Sequence, residues 1–238
     1  CNADFNINSM VTLTATPDGD FGFTLWTGAC AAAGTNPMAT VDMISAQSCD
    51  AEFTLQQFDV TINFEGLGAG NVTSAPVGII CPGDCSETYD IHTAITLTPV
   101  PDPVSIFIGW SPNCAGGVIA DLTADTVCTA TFDFVPLLLS PISPGLKNNV
   151  NSMTSSNSTP GGRVAFVWGF SPGSFIVGGS ICNGIELGIR PLQLLGIVNA
   201  NGSGDANLVF FVPALGNTAL AFTQAVDIPT CRTSEVIQ

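Results

Sequence analysis

Residues 1–30 read CNADFNINSMVTLTATPDGDFGFTLWTGAC, and residues 85–114 read CSETYDIHTAITLTPVPDPVSIFIGWSPNC. Laid over one another at a shift of 84 positions, the two stretches coincide without a gap. Cys1 falls on Cys85, Phe5 on Tyr89, Ile7 on Ile91 and Thr12-Leu13-Thr14 on Thr96-Leu97-Thr98. Pro17-Asp18 falls on Pro101-Asp102, Phe23 on Phe107, Trp26 on Trp110 and Cys30 on Cys114. The match resumes at a shift of 79, with Cys49-Asp50-Ala51-Glu52-Phe53 on Cys128-Thr129-Ala130-Thr131-Phe132, so the first copy has a longer loop before its last strand. Such self-similarity marks an internal duplication.

Each copy reads as β structure. Val11-Thr12-Leu13-Thr14 alternates apolar and polar residues, which buries one face and solvates the other. Pro17-Asp18-Gly19 is a turn, because proline presets φ while Asp and Gly tolerate the bend. Phe23 and Trp26 supply the apolar area that a small domain needs. The second copy carries an additional opening: an alternating strand over Phe58–Phe64, a Gly-rich turn over 66–71 and a short strand over 72–80. The first copy has no counterpart to this opening hairpin.

Composition agrees. Hydrophobic residues make up 46% of the 238 and charged residues only 10%, the balance being rich in Gly, Pro, Ser, Thr and Asn. That mixture suits short strands and tight turns. No helical amphipathic spacing persists beyond about two turns, and no run reaches the roughly 18 apolar residues of a membrane-spanning helix. The first 146 residues hold fifteen carboxylates and no Lys or Arg; Lys147, Arg163, Arg190 and Arg232 all follow, and the net charge is −15. Nucleic acid is excluded as a partner for want of a cationic surface. The carboxylates read as a solvated, self-repelling surface. Ca²⁺ at the acidic turns is the competing reading, and no other cofactor is expected.

In the second copy, Gly70-Asn71-Val72-Thr73-Ser74-Ala75-Pro76-Val77-Gly78-Ile79-Ile80-Cys81, Asp84-Cys85, Gly109-Trp110-Ser111 and Cys128-Thr129-Ala130-Thr131-Phe132 follow one another. This order resembles the bacterial divergent InlB-type B repeat. The resemblance covers 57–134 in full and 1–55 in truncated form. It departs from the family at Pro112-Asn113 and at Leu25-Trp26, where glycines are usual. The family implies extracellular spacer or stalk modules without catalysis of their own.

Nine cysteines and few lysines point to an oxidising compartment, hence a secreted or cell-surface protein. Cys30 and Cys49, like Cys114 and Cys128, bracket one loop each, which would staple the last strand to the Trp-bearing strand. Cys81 and Cys85 bracket the Pro82-Gly83-Asp84 turn, and Cys182 and Cys231 are the two cysteines of the C-terminal region, expected to close that domain. Cys1 is left over: unpaired, paired to an upstream residue, paired between subunits, or a lipid anchor.

After Ser140-Pro141-Ile142-Ser143-Pro144-Gly145 the repeat ends. Strand-like runs at 164–168, 174–177, 192–198, 207–212 and 219–226, with a hairpin signal at Asn199–Gly204, predict an immunoglobulin-like β-sandwich. The expected organisation is all-β: a truncated repeat over 1–55, a complete repeat over 56–135, a linker over 136–146 and a sandwich over 147–238. No enzymatic activity is expected, because His92 is the lone histidine, stands where the first copy has Asn8 and is read as a solvated strand position. The functional expectation is a structural subunit of a fibre or surface layer, joined to copies of itself or to upstream chain at the incomplete repeat. The alternatives are a stalk fragment of a larger secreted protein, or carbohydrate binding through Trp168 and Phe170.

Overall fold

A computed structural model describes residues 2–214 and 221–238, nearly all as strands and turns. Cys1 and residues 219–220 of the expected last strand run lie outside the described residues. The chain divides into two compact units, one holding residues up to Glu65, Asn71–Pro99 and Gly109–Ala130, the other holding Gly66–Gly70, Val100–Ile108 and Thr131–Gln238.

The first repeat is four strands, β1 (Met10–Thr14), β2 (Phe21–Gly28), β3 (Met38–Asp42) and β4 (Cys49–Leu55). They pair antiparallel as β1 with β3 and β2 with β4. A small core of Ala15, Trp26, Cys30, Ala39 and Val41 holds the two pairs together, with Leu13, Phe23 and Ala51 partly buried against it. The Trp26 indole N–H donates to the Asn36 carbonyl (3.0 Å), so the largest core side chain buries its ring with its polar atom satisfied.

The second repeat contains β5 (Gln57–Glu65), β6 (Gly70–Ala75), β7 (Ile80–Cys81), β8 (Ser86–Asp90), β9 (Ile95–Pro101), β10 (Ser105–Trp110), β11 (Val118–Ile119) and β12 (Thr126–Phe134). They form two four-stranded sheets, β10-β12-β5-β8 and β11-β9-β6-β7. The strand expected over 72–80 ends at Ala75, where Pro76 removes a ladder donor, and the chain turns to pair Ile80–Cys81 with Val72–Thr73. By the internal alignment β1, β2, β3 and β4 correspond to β9, β10, β11 and β12, and each corresponding pair is hydrogen-bonded in both repeats. The duplication therefore extends from sequence to topology.

The remaining strands are β13 (Leu138–Leu139), β14 (Asn149–Ser156), β15 (Arg163–Gly169), β16 (Ser171–Ile176), β17 (Glu186–Arg190), β18 (Gln193–Asn199), β19 (Ala206–Val212), β20 (Phe222–Asp227) and β21 (Arg232–Thr233). Sheets β13-β14-β19 and β18-β15-β20-β21 share one core, in which Leu137, Leu139, Met153 and Ala206 meet Val164, Phe166 and Ala225. Two sheets around one apolar interior make a β-sandwich. β16 and β17 pair separately, and Leu187 and Ile189 build a second cluster with Val167 and Val226. No helix of the described residues is long and apolar enough to cross a membrane.

Candidate functional site

Two strand edges that are paired in the second repeat, those of β1 and β4, are unpaired among the described residues of the first. In the second repeat β5 lies between β12 and β8, and β6 lies between β9 and β7. Residues 2–55 hold no strand equivalent to β5 or β6, and among the described residues β4 pairs with β2 alone and β1 with β3 alone. Residues 2–6, which correspond to β8, belong to no strand.

Exposure follows pairing. Phe132 is 1% exposed, while its counterpart Phe53 is 39% exposed. Tyr89 is 7% exposed and Phe5 48%. Ile95 and Leu97 are buried, whereas Val11 and Leu13 at the same positions are half-buried. Val60, Ile62 and Val72 of β5 and β6 are themselves fully buried, and the first repeat has no side chains in their place. The result is an apolar face beside unpaired backbone edges, a combination that soluble proteins ordinarily cover.

Among the described residues four disulfides are present: Cys30–Cys49, Cys81–Cys85, Cys114–Cys128 and Cys182–Cys231. The first and third tie corresponding strands in the two repeats, β2 to β4 and the end of β10 to β12. They reinforce the sheet pairs without touching the open edges.

His92 sits at the junction of the repeats. Its backbone is left-handed (φ 64°), as is that of Asn8 (φ 61°). The His92 N–H donates to Leu122 O as the Asn8 N–H donates to Met43 O, the same bond in each repeat. The residue is thus a turn position and not the expected strand position, since asparagine-like tolerance of positive φ is what the site requires. Its Nδ1 lies 2.6 Å from Asp121 Oδ1 and its Nε2 3.1 Å from Asp20 Oδ1. Hydrogen bonding to Asp121 and then to Asp20 raises its pKa above the ordinary 6.5. Among the described residues no group of three or more His, Cys, Asp or Glu side chains is arranged to hold a metal ion.

In the C-terminal sandwich Trp168 and Phe170 meet edge to face, with ring centroids 4.9 Å apart, at a cavity of about 580 Å³ that Leu195 and Phe210 also line. Their planes are 76° apart, so they do not form a coplanar platform.

Comparison with known families gives a match that falls on the first repeat. Residues 1–57 match the divergent InlB B-repeat domain. The chain therefore carries a B-repeat-type domain, which points to a bacterial surface or secreted repeat protein. The matched span is the first repeat; residues 58–134, nearly all of the stretch where the resemblance read from sequence is fullest, lie beyond it. No curated protein and no solved structure matches the chain.

Proposed function

We propose that this protein is a non-enzymatic structural subunit of an extracellular bacterial assembly, and that its B-repeat-type domain is the joint. The observation that carries the reading is the exposure of Phe53 and the only partial burial of Val11 and Leu13 beside the unpaired edges of β1 and β4. Strands from a neighbouring subunit would pair with those edges and bury that face, giving a head-to-tail assembly. Complete burial of one Phe, Leu or Val side chain contributes about 1.5–3 kcal/mol, so covering the face stabilises the joint by several such increments. The disulfides suit an oxidising, extracellular setting. The C-terminal sandwich, which we read as immunoglobulin-like, would stand as a rigid spacer between joints.

Negative-stain electron microscopy of natively purified material tests this. Ordered filaments or sheets are the expected result. Isolated particles at all concentrations would overturn it and leave the spacer reading, in which the same modules hold other domains at a distance.

A further inference from the structure

The interior of the C-terminal sandwich is filled at one level and open at the next. Phe166 and Met153, both fully buried, close the middle of the space between the sheets. One step further along the strands, short side chains stand beside large rings. Asn151 pairs with Phe210 across β14 and β19, and Thr223 pairs with Trp168 across β20 and β15. The Asn151 amide is committed to its own neighbourhood. Its Oδ1 accepts from the Leu146 N–H (3.0 Å), and its Nδ2 donates to the carbonyls of Leu146 (2.9 Å) and Asn149 (3.0 Å). The cavity of about 580 Å³ lies at this level, and all of its described lining falls within residues 141–238.

The lining is apolar and carries a single charge. Ile142, Leu195 and Phe210 pack partly buried against the core of the sandwich. Leu146, Phe170 and Phe211, which also line the cavity, are exposed. Exposed apolar side chains around a concave apolar space are the usual form of a small-molecule site. Lys147 is the only charged side chain among the described lining residues. It is also the only lysine of a chain whose net charge is −15. A ligand that complements this surface has an apolar body and one anionic group at its end. A sugar fits less well, since it asks for several polar partners. Here the Asn151 amide is already bonded, and the rings of Trp168 and Phe170 are 76° apart.

We propose that this cavity binds a single-chain amphiphile with an anionic head, a long-chain carboxylate. The chain would lie among Ile142, Leu195 and Phe210, and the carboxylate would meet the Lys147 ammonium. Burial of the chain supplies most of the affinity. Lys147 is exposed, so its ion pair adds selectivity of about two- to fivefold. The inference does not depend on the assembly reading, because it concerns the sandwich alone.

The test titrates the full chain with sodium dodecanoate below its micelle-forming concentration, and in parallel with dodecanol. NMR follows the indole N–H signals of Trp26, Trp110 and Trp168. Expected is saturable binding of dodecanoate at micromolar concentration that shifts the Trp168 signal and leaves the other two in place. Lys147→Gln should weaken dodecanoate about two- to fivefold and leave dodecanol unchanged. Ile142→Trp, which brings a larger side chain from a loop into the same space, should weaken both roughly tenfold, the lost burial of about two methylene groups. The native titration and Lys147→Gln decide the matter even where Ile142→Trp fails to fold. Absence of saturable binding, shifts at Trp26 or Trp110 instead, or an unchanged dodecanoate affinity in Lys147→Gln would overturn the proposal. So would binding to phosphatidylglycerol vesicles without binding of dodecanoate, which would make the ligand a membrane lipid and not a free acid.

Discussion

His92 places one carboxylate at each ring nitrogen, and the two come from different repeats. No lysine or arginine precedes Lys147, so the imidazolium is the one cation these carboxylates can share within the repeats. Because the folded-state pKa is raised, the bridge stabilises the junction fully below the unfolded value near 6.5 and is lost as pH rises through the raised value. NMR titration of the His92 ring should give a midpoint above 6.5. Asp121→Asn should lower it more than Asp20→Asn, since the Asp121 hydrogen bond is the larger cause; the reverse order would mean the junction is held differently in solution. Arg232 presents the opposite case, a buried charge. It pairs with Asp227 (2.9 Å) and donates to the carbonyls of Val135 and Asn157, and Asp227 also accepts from the hydroxyls of Thr159 and Thr230. Asp227 is fully buried. Arg232→Ala would leave that carboxylate without its counter-charge, at a cost of about 3–5 kcal/mol, read as faster amide exchange across β15 and β20. None of this coupling was legible in sequence, because its other partners lie far along the chain and the short Asp227–Arg232 spacing matches no recognisable pattern.

Strands with apolar alternation could be read directly: Phe58–Phe64 falls within β5 and Asn207–Val212 within β19. β14 could not, for a physical reason. Its inward positions are Asn151, Met153 and Ser155, and the buried Asn151 satisfies itself on the backbone of Leu146 and Asn149, so polar residues occupy core places and the apolar signal vanishes. β17 was missed because it offers only Leu187 and Ile189 as buried positions. The open edge of the first repeat was legible as a gap in the alignment, whereas the cavity beside Trp168 and Phe210 needed the pairing of the sandwich strands in space. Among the covalent ties, the loop-closure argument ranks their worth. Cys182–Cys231 spans 49 positions and Cys81–Cys85 only 4. Replacing each pair by serine should cost about 4 and about 2 kcal/mol respectively, measured as shifts in urea midpoint; equal losses would show that local geometry outweighs loop length here.

At the scale of the whole molecule, charge opposes the association proposed for the first repeat. The net charge is −15, and the first 146 residues supply all of that excess. Two such surfaces approaching edge to edge repel, and the repulsion reaches about 30 Å at 0.01 M ionic strength but only about 8 Å at 0.15 M. The attraction at the proposed joint would be apolar burial and backbone pairing, neither of which salt weakens appreciably. Self-association, followed by light scattering at fixed protein concentration, should therefore strengthen as sodium chloride rises from the low to the high value. It should strengthen likewise on acidification toward the sequence pI near 4.1, where the carboxylates begin to neutralise. Salt that dissolved the assemblies would point instead to an interface built on ion pairs, which would have to draw on Lys147, Arg163 and Arg190 of the C-terminal region and would move the joint away from the first repeat.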